Sequence, residues 1–133
     1  MGLIYFLDTD ICVHLIRGKT RHLAAHFEAL EAGVLGLSAI TVSELRFGAD
    51  KSSDPERHHT QLSRFLCAFE TLNFDSEAAE HYGQIRSALE KQGQPIGPLD
   101  LLIAAHARSQ RVTLVTHNVR EFKRVPGLVV ETW

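Results

Sequence analysis

The amino-acid sequence predicts a protein of the α/β class, a three-layer α/β/α sandwich built on a central, mainly parallel sheet of four to five strands. Two observations carry this prediction. Short, continuously apolar runs recur along the chain, and segments with apolar residues at helical spacing separate them. Strands that alternate with helices pair in parallel, because each helix provides the crossover back to the same edge of the sheet. The 133 residues suit one such domain, which we expect to span 1–133.

The first apolar run, Leu3 to Leu7, is typical of a central strand covered on both faces, and it stops abruptly at Asp8. Four further runs of similar length are expected to be strands: Val34 to Leu37, Thr71 to Phe74, Val112 to Val115 and Leu128 to Val130. In open parallel sheets, ligands bind beyond the carboxyl ends of the strands. This rule points to Asp8 and to the segment Thr116 to Asn118.

Helices are expected between these runs, because apolar residues recur there every three or four positions and so share one buried face. The three clearest apolar stripes are Leu23, Phe27 and Leu30; Leu62, Phe65, Leu66 and Phe69; and Tyr82, Ile85 and Leu89. Pro98 suits the first turn of a later helix, where its missing N–H is not needed.

Composition narrows the class of protein. With 44% hydrophobic and 23% charged residues, the chain is typical of folded globular proteins rather than disordered ones. Cys12 and Cys67 form no CxxC pair and lie in apolar stretches, so both are expected to be buried free thiols. The opening run GLIYFLD is far shorter than the roughly twenty residues of a membrane span. We therefore expect a cytoplasmic protein without membrane contact.

Three carboxylates, Asp8, Glu44 and Asp100, lie near predicted helix starts. Each has a purely structural alternative: Asp8 could cap a helix, Glu44 could complete a capping box with Thr41, and Asp100 could oppose a helix dipole. Helices that follow parallel strands begin at the same edge of the sheet, so the three side chains could also converge there.

Convergence would require a cation or bound protons. Two carboxylates about 4 Å apart repel by roughly 4 kcal/mol at an effective dielectric of about 20. Oxygen-only ligands suit Mg²⁺ or Mn²⁺, which bind through a few carboxylates, water and substrate phosphate. Such an ion activates water and neutralises charge on a phosphodiester.

Four segments, in this order and across nearly the whole chain, resemble the VapC toxins of the PIN-domain family: FLDTDICVHLI, LSAITVSELRFGADKS, GQIRSALEKQGQPIGPLDLLIAAHARS and LVTHNVREFKRVPGL. The resemblance implies a PIN-like fold and a role as the toxin of a type II toxin–antitoxin system. The implied activity is that of a divalent-metal endoribonuclease acting on RNA, with structured RNA such as tRNA as the most plausible substrate. A cognate, VapB-like antitoxin and a homodimeric toxin within the complex are also implied.

The resemblance carries over residue by residue. The family's first acidic position falls on Asp8, the Glu of its S-x-x-x-x-E-L segment on Glu44, and its later Asp on Asp100. The fourth position, often Asp in PIN domains, is Asn118 here, which offers a carbonyl oxygen but no charge. The departure puts the occupancy of a second metal site in doubt.

Two neighbouring residues are supporting candidates. Asp10 stands where the family usually has Asn, and it either restores the charge lost at Asn118 or caps the helix, the role that we favour. The resemblance implies that the hydroxyl of Thr116 orients a ligand or a water.

The net charge of −2 is not that of a protein that binds nucleic acid through bulk positive charge, so any RNA-binding surface must be local. The candidates to position phosphates are Arg17, Lys19, Arg120 and Lys123, with solvated polar faces as the alternative. His22 and His26 have the spacing of a metal pair, but the absence of a nearby Cys or an H-E-x-x-H pattern favours a solvated helix face. His117 is expected to be peripheral to the site.

Two rival functions come from different classes. The opening FLDTD also resembles haloacid-dehalogenase-type phosphatases, with Asp8 as nucleophile and Asp10 as acid, but that family's later lysine and paired acids have no convincing counterpart around Asp100. The second rival is a catalytically silent PIN module that only binds a partner. Under that hypothesis, Asn118 marks the loss of a catalytic acid. Three intact carboxylates speak against it.

Overall fold

The computed structural model describes residues 2–18 and 20–133, and this part of the chain contains five strands and seven helices. In chain order they are β1 Tyr5–Leu7, α1 Thr9–Arg17, α2 Arg21–Glu28, β2 Leu35–Ser38, α3 Ala39–Asp50, α4 Pro55–Leu66, β3 Glu70–Leu72, α5 Ser76–Lys91, α6 Pro98–Gln110, β4 Thr113–Val115, α7 Val119–Phe122 and β5 Val130–Glu131.

The five strands form one sheet in the order β3-β2-β1-β4-β5, and all four neighbouring pairs are parallel. This confirms the predicted fold class. From β1 the chain first builds one side of the sheet, through β2 and β3, and then crosses to build the other side with β4 and β5. The adjacent strands β1 and β4, with Leu7 opposite Val115, therefore mark the point at which the strand order reverses.

Two apolar clusters cover the two faces of the sheet. Phe6 and Leu114 point to the face covered by α5 and α6, whereas Leu7 and Val115, one residue later in each strand, point to the face covered by α1 to α4. This alternation is the period-two geometry of strands, and here both faces are apolar because helices cover both. The outcome is the predicted three-layer sandwich.

All five predicted strands are present, but their bounds differ by up to two residues. β1 begins at Tyr5 rather than Leu3, although Leu3 still packs against the core from outside the sheet. β5 is only Val130–Glu131. The apolar pattern therefore located burial better than it located backbone pairing.

Cys12 is buried as predicted, but the prediction of a buried Cys67 is wrong. Cys67 follows the last residue of α4, where its Sγ donates a hydrogen bond to the carbonyl of Ser63 and faces solvent. Within residues 2–18 and 20–133, no helix is long and apolar enough to cross a membrane.

A buried histidine links α6 to the start of α3. His106 is fully buried, with Phe6 and Phe74 packed edge-on against its ring, and its Nδ1 lies 2.7 Å from the hydroxyl of Ser38. Ser38 caps α3, its Oγ accepting from the backbone N–H of Ile40 at 3.1 Å. Burial lowers the pKa of His106, which favours the neutral ring. The contact fixes where α3 begins, and so where residues farther along α3 lie.

Gly36 is the most confined glycine in the sheet. A Cβ at this position would lie 3.0 Å from the Leu3 side chain, 3.2 Å from the carbonyl oxygen of Glu70 and 3.2 Å from the Phe6 ring. We expect Gly36→Ala to lower the free energy of unfolding by about 1–3 kcal/mol, because the backbone of β3 cannot move away without breaking the sheet. Urea denaturation of the purified variant measures this change.

Gly83→Ala in α5 is the matched control, because a Cβ there would meet no atom within 4 Å. It should raise the free energy of unfolding by about 0.5–1 kcal/mol, the usual gain for alanine over glycine inside a helix. Equal effects of the two substitutions would contradict the close packing at Gly36.

Candidate active site

Asp8 and Thr116 lie side by side at the carboxyl ends of β1 and β4. The parallel pairing places them there, and the Asp8 backbone N–H donates to the Val115 carbonyl at 2.8 Å. Asp8 is only 5% exposed. Its Oδ2 accepts from the Thr116 hydroxyl at 2.8 Å, and its Oδ1 accepts from the backbone N–H of Thr9 at 2.8 Å. Asp8 thus caps α1, as one interpretation predicted, while remaining at the edge of the sheet where ligands bind.

Glu44 reaches the same region from α3. Its Oε1 accepts from the hydroxyl of Thr9 at 2.6 Å, a contact between α3 and the first residue of α1. The predicted capping box is wrong, because α3 begins at Ala39 with Ser38 as its cap, which leaves Thr41 and Glu44 inside the helix. Thr41 is fully buried. The spacing from Thr41 to Glu44 that suggested a capping box is an ordinary turn inside the helix.

Asp100 lies in the first turn of α6, after Gly97 and Pro98, and is half-buried. Its pKa is raised to about 7, mainly by burial and then by the negative charges of Asp8, Glu121 and Glu44. The neighbouring Glu121 carboxylate therefore favours the protonated form of Asp100. In the first turn, the Asp100 carboxylate also interacts favourably with the positive end of the helix dipole. Asp100 can therefore stabilise the helix and belong to the site.

Glu121, in the short helix α7, is the residue that the sequence interpretation missed. One of its oxygens accepts from the backbone N–H of Gly97 and the other from the side-chain amide of Asn118, both at 2.9 Å. These two hydrogen bonds lower the pKa of Glu121, so it is ionised beside Asp100. The signal was available in the sequence as an acidic residue three positions after Asn118, on the same face of a helical turn.

Asn118, at the family's fourth position, forms hydrogen bonds with Thr116 and Glu121. Its backbone N–H donates to the Thr116 hydroxyl at 3.0 Å, and its side-chain nitrogen donates to Glu121. The Asn118 amide thereby positions a carboxylate next to Asp100. In this arrangement Glu121 supplies the charge that Asn118 lacks.

Burial and mutual repulsion dominate the electrostatics. The pKa of Asp8 is raised to about 6, first by burial and then, after the opposing hydrogen bond from Thr116, by the negative charge of Asp10. Glu44 adds to this repulsion. Among the described residues no ion pair joins these carboxylates to a basic side chain, so at neutral pH the group holds negative charge that favours an external cation.

Asp10 makes two backbone contacts. Its Oδ1 accepts from the N–H of Ile11 at 2.8 Å and its Oδ2 from the N–H of His117 at 3.3 Å. Asp10 therefore ties α1 to the segment after β4. The favoured interpretation of Asp10 as the helix cap is wrong, because Asp8 caps α1 and Asp10 lies in its first turn, from where its charge acts on Asp8.

The donor set fits a hard divalent ion. Asp8, Glu44, Asp100 and Glu121 offer only carboxylate oxygens, the ligands that Mg²⁺ and Mn²⁺ prefer. Within the described residues, no three His, Cys, Asp or Glu side chains stand close enough to form a ready-made metal cage. A magnesium site of one or two carboxylates completed by water and phosphate does not require such a cage.

The basic candidates are spread around the site. Arg17 lines a groove of about 310 Å³ that also includes Thr9 and Glu44, so it is the cation placed beside the carboxylates. Arg120 and Lys123 are exposed on and just after α7. Lys19 lies outside the described residues. In the described part of the chain, Arg17, Arg120 and Lys123 form no ion pair with Asp8 or Asp100.

The remaining candidate histidines are exposed: two lie on α2 and one follows β4. His22 and His26 are both exposed, as a solvated helix face requires. His26 stacks on Trp133 with ring centroids 4.2 Å apart. His117 is exposed and next to the site through its backbone contact with Asp10.

The comparisons with known proteins all point to the same family. The PIN domain family model matches residues 5–128. The tRNA(fMet)-specific endonuclease VapC of Shigella flexneri is 44% identical over 131 residues, which covers 98% of both chains. Ribonuclease VapC2 of Rickettsia felis is 39% identical with the same coverage. The crystal structure of DNA-bound VapBC from Salmonella typhimurium contains a chain that matches with a TM-score of 0.94 at 42% identity, covering 98% of each chain.

The raised pKa values predict how stability depends on pH without metal. Protons bound by Asp8 and Asp100 stabilise the folded state below the unfolded pKa of 3.8, and this contribution is lost as the pH rises through about 6 and 7. Asp100→Asn should therefore raise the free energy of unfolding at pH 8 by about 1–3 kcal/mol, allowing for partial exposure, with little change at pH 4. Thermal unfolding in EDTA at both pH values tests this.

Glu80→Gln removes an exposed carboxyl from α5 and serves as the control, with the same small effect at either pH. Added Mg²⁺ should raise the melting temperature of the wild type at pH 8 more than that of Asp100→Asn. A variant less stable than the wild type in EDTA at pH 8 would show that repulsion does not govern this site.

Proposed function

This chain belongs to the PIN-domain family and to the VapC ribonucleases within it, and on that basis we propose that it is the toxin of a type II toxin–antitoxin system, a divalent-metal-dependent endoribonuclease. The observation that carries the proposal is that four carboxylates from separate elements lie near the carboxyl ends of β1 and β4, close enough for the charges of the other three to raise the pKa of Asp100: Asp8 after β1, Glu44 inside α3, Asp100 in the first turn of α6 and Glu121 in α7. Three of them were predicted from the sequence.

We assign Asp8, Asp100 and Glu44 to Mg²⁺ or Mn²⁺, with Glu121 as the further acid and Asn118 as the residue that positions it. When bound, such an ion supplies water activation and neutralises charge on a phosphodiester. The residues of the chain do the rest. Thr116 and Thr9 hold Asp8 and Glu44 by donating their hydroxyl hydrogens, which leaves further lone pairs on each carboxylate.

Substrate positioning falls to the basic residues. Arg17 shares a groove with Glu44 and is the best placed to contact a phosphate there. Arg120, Lys123 and Lys19 remain weaker candidates of the same kind. A local arrangement of this sort fits a chain whose net charge is −2.

The two rival functions fit less well. Both oxygens of Asp10 accept backbone N–H groups, so Asp10 is not free to serve as the acid that a haloacid-dehalogenase-type phosphatase requires. A silent module that only binds a partner would have no use for four carboxylates that destabilise one another. The presence of Glu121 beside Asn118 also removes the supposed sign of decay.

Names of relatives suggest the substrate and partner. One relative is named for tRNA(fMet) and another was crystallised as a DNA-bound VapBC complex. We propose RNA, with tRNA as the first substrate to test, a cognate VapB-like antitoxin, and a homodimeric toxin within that complex. A cytoplasmic location, where tRNA and the antitoxin are made, belongs to the same proposal.

Neutral variants of the carboxylates test the activity. Asp8→Asn, Glu44→Gln and Asp100→Asn should each lower kcat for RNA cleavage by about 100-fold or more, and Glu121→Gln by about 10–100-fold, because metal binding weakens. Cleavage of total tRNA in the presence of Mg²⁺ or Mn²⁺ measures this, with circular dichroism to confirm folding.

Glu80→Gln is again the control and should cleave at the wild-type rate. End-group analysis provides an independent check, because hydrolysis at this site leaves a 5′ phosphate on the downstream fragment. A 2′,3′-cyclic phosphate formed undiminished in excess EDTA would instead indicate histidine-assisted attack by the 2′ hydroxyl and would contradict the metal-dependent mechanism.

The partner proposal predicts that a small antitoxin is encoded beside this chain and forms a stable complex with it. A basic side chain of that antitoxin would neutralise the carboxylates, and apolar contacts would supply the remaining affinity. Copurification from the native operon should yield an inactive assembly with at least two copies of each protein by native mass spectrometry. Recovery of a free, active monomer while the neighbouring protein is expressed would contradict the prediction.

A further inference from the structure

His117 contacts the carboxylate of Asp10 through its backbone, and the ring contacts of His117 in the described residues are with other groups. His117 follows Thr116, whose hydroxyl holds Asp8, and its backbone N–H donates to Asp10. Because these contacts use the backbone, the imidazole is directed elsewhere and is exposed. An exposed, planar ring therefore stands at the carboxyl end of β4, next to the site proposed to cleave RNA.

Two contacts fix the orientation of this ring. The ring of His14 packs against it with centroids 5.0 Å apart and planes tilted by 38°. The Nε2–H of His117 donates to the backbone carbonyl of Trp133 at 3.3 Å. A carbonyl can only accept, so Nε2 carries a hydrogen and the ring is held from its edge as well as from one side.

The supports of His117 are themselves packed. His14 is one turn after Asp10 on α1, and its Nδ1 is buried without a hydrogen-bond partner among the described residues, so it contributes packing rather than a polar link. Trp133 is stacked on His26 and meets Tyr5 edge-on with centroids 5.2 Å apart. The His117 ring consequently rests on contacts that span α1, α2, β1 and the end of the chain.

A rigid ring at this place fits one need of an RNA-cleaving site. Phosphates are repelled by Asp8, Asp10 and Asp100 unless a cation intervenes, so the carboxylates themselves provide no attraction for the strand. Unpaired bases, in contrast, stack on aromatic side chains whatever their sequence, because every base has a π-face. Stacking would hold the strand without adding charge to the site.

We propose that His117, held in place by His14, is a stacking platform for an unpaired base of the RNA next to the cleaved phosphate. This inference rests on the proposed ribonuclease function. It makes His117 a binding residue and His14 a positioning residue, and it assigns neither of them a proton transfer.

The kinetic test compares His117→Ala with His117→Phe. The alanine variant should raise KM for RNA by about tenfold or more with little change in kcat, because the contact holds the strand in ground state and transition state alike. The phenylalanine variant keeps a flat ring and should restore KM to within about threefold, although it cannot donate to Trp133. His22→Ala, which removes an exposed imidazole from α2, is the control and should leave both constants unchanged.

A fluorescence test reports stacking without cleavage. Single-stranded RNAs carrying 2-aminopurine at successive positions are bound to the Asp100→Asn protein, in which cleavage is suppressed. Stacking should quench the fluorescence at one position, His117→Ala should abolish that quenching, and His14→Ala should reduce it. Replacement of His14 by Phe should restore the quenching that His14→Ala loses.

The outcomes separate this inference from the function on which it rests. Metal-dependent cleavage with unchanged KM and unchanged quenching in His117→Ala overturns the platform and leaves the ribonuclease intact. Absence of cleavage by the wild type, with quenching that depends on His117, overturns the proposed function and supports RNA stacking. Absence of any RNA binding overturns both. A defect confined to antitoxin binding would show that the ring contacts a protein instead.

Discussion

The parallel pairing of β1 with β4 is the contact on which the candidate site depends. It sets Leu7 opposite Val115, and so brings Asp8 and Thr116, the next residue of each strand, into hydrogen-bond contact. Because the strand order reverses between these two strands, the helices that follow them diverge and leave a crevice at the edge of the sheet. A one-residue shift of β1 would turn Phe6 and Leu7 toward the wrong faces, and a shift of β4 would do the same to Leu114 and Val115. Core packing therefore fixes the register that the site requires.

Charge repulsion is the cost of this arrangement. Burial and neighbouring carboxylates raise the pKa of Asp8 to about 6 and that of Asp100 to about 7, so ionisation at neutral pH works against folding. The surrounding structure offsets the cost with hydrogen bonds from Thr9, Thr116 and Asn118. Functional sites commonly hold such locally unfavourable groups, and repulsion that destabilises the ligand-free site is relieved when the ligand binds.

The fold was predictable from the sequence because it depends on short-range patterns, whereas the assignment of Glu44 and Asp100 to the site came from the family resemblance. Apolar runs reported the strands, and the abrupt stop at Asp8 reported the edge of the sheet. The capping box at Glu44 was wrong because the same residue spacing occurs inside a helix, and the actual cap, Ser38, is selected by a distant partner, His106. Exposure of Cys67 depends on where α4 ends, which apolar spacing alone does not define.

Glu121 was missed for a different reason. Its importance lies in contacts with Gly97 and Asn118, which are set by how α7 lies against the start of α6 and not by a local motif. The family resemblance directed attention to Asn118, which carries no charge. The carboxylate that supplies this charge, Glu121, is recognised only from its contacts in the folded structure. The metal and the RNA target, which no residue spacing encodes, remain proposals for the same reason.

The dispersal of the site along the chain sets when it comes into being during translation. Asp8 is synthesised 108 residues before Thr116, and β1 cannot pair with β4 until both strands have left the ribosome. A nascent chain therefore carries isolated acidic side chains but no assembled centre.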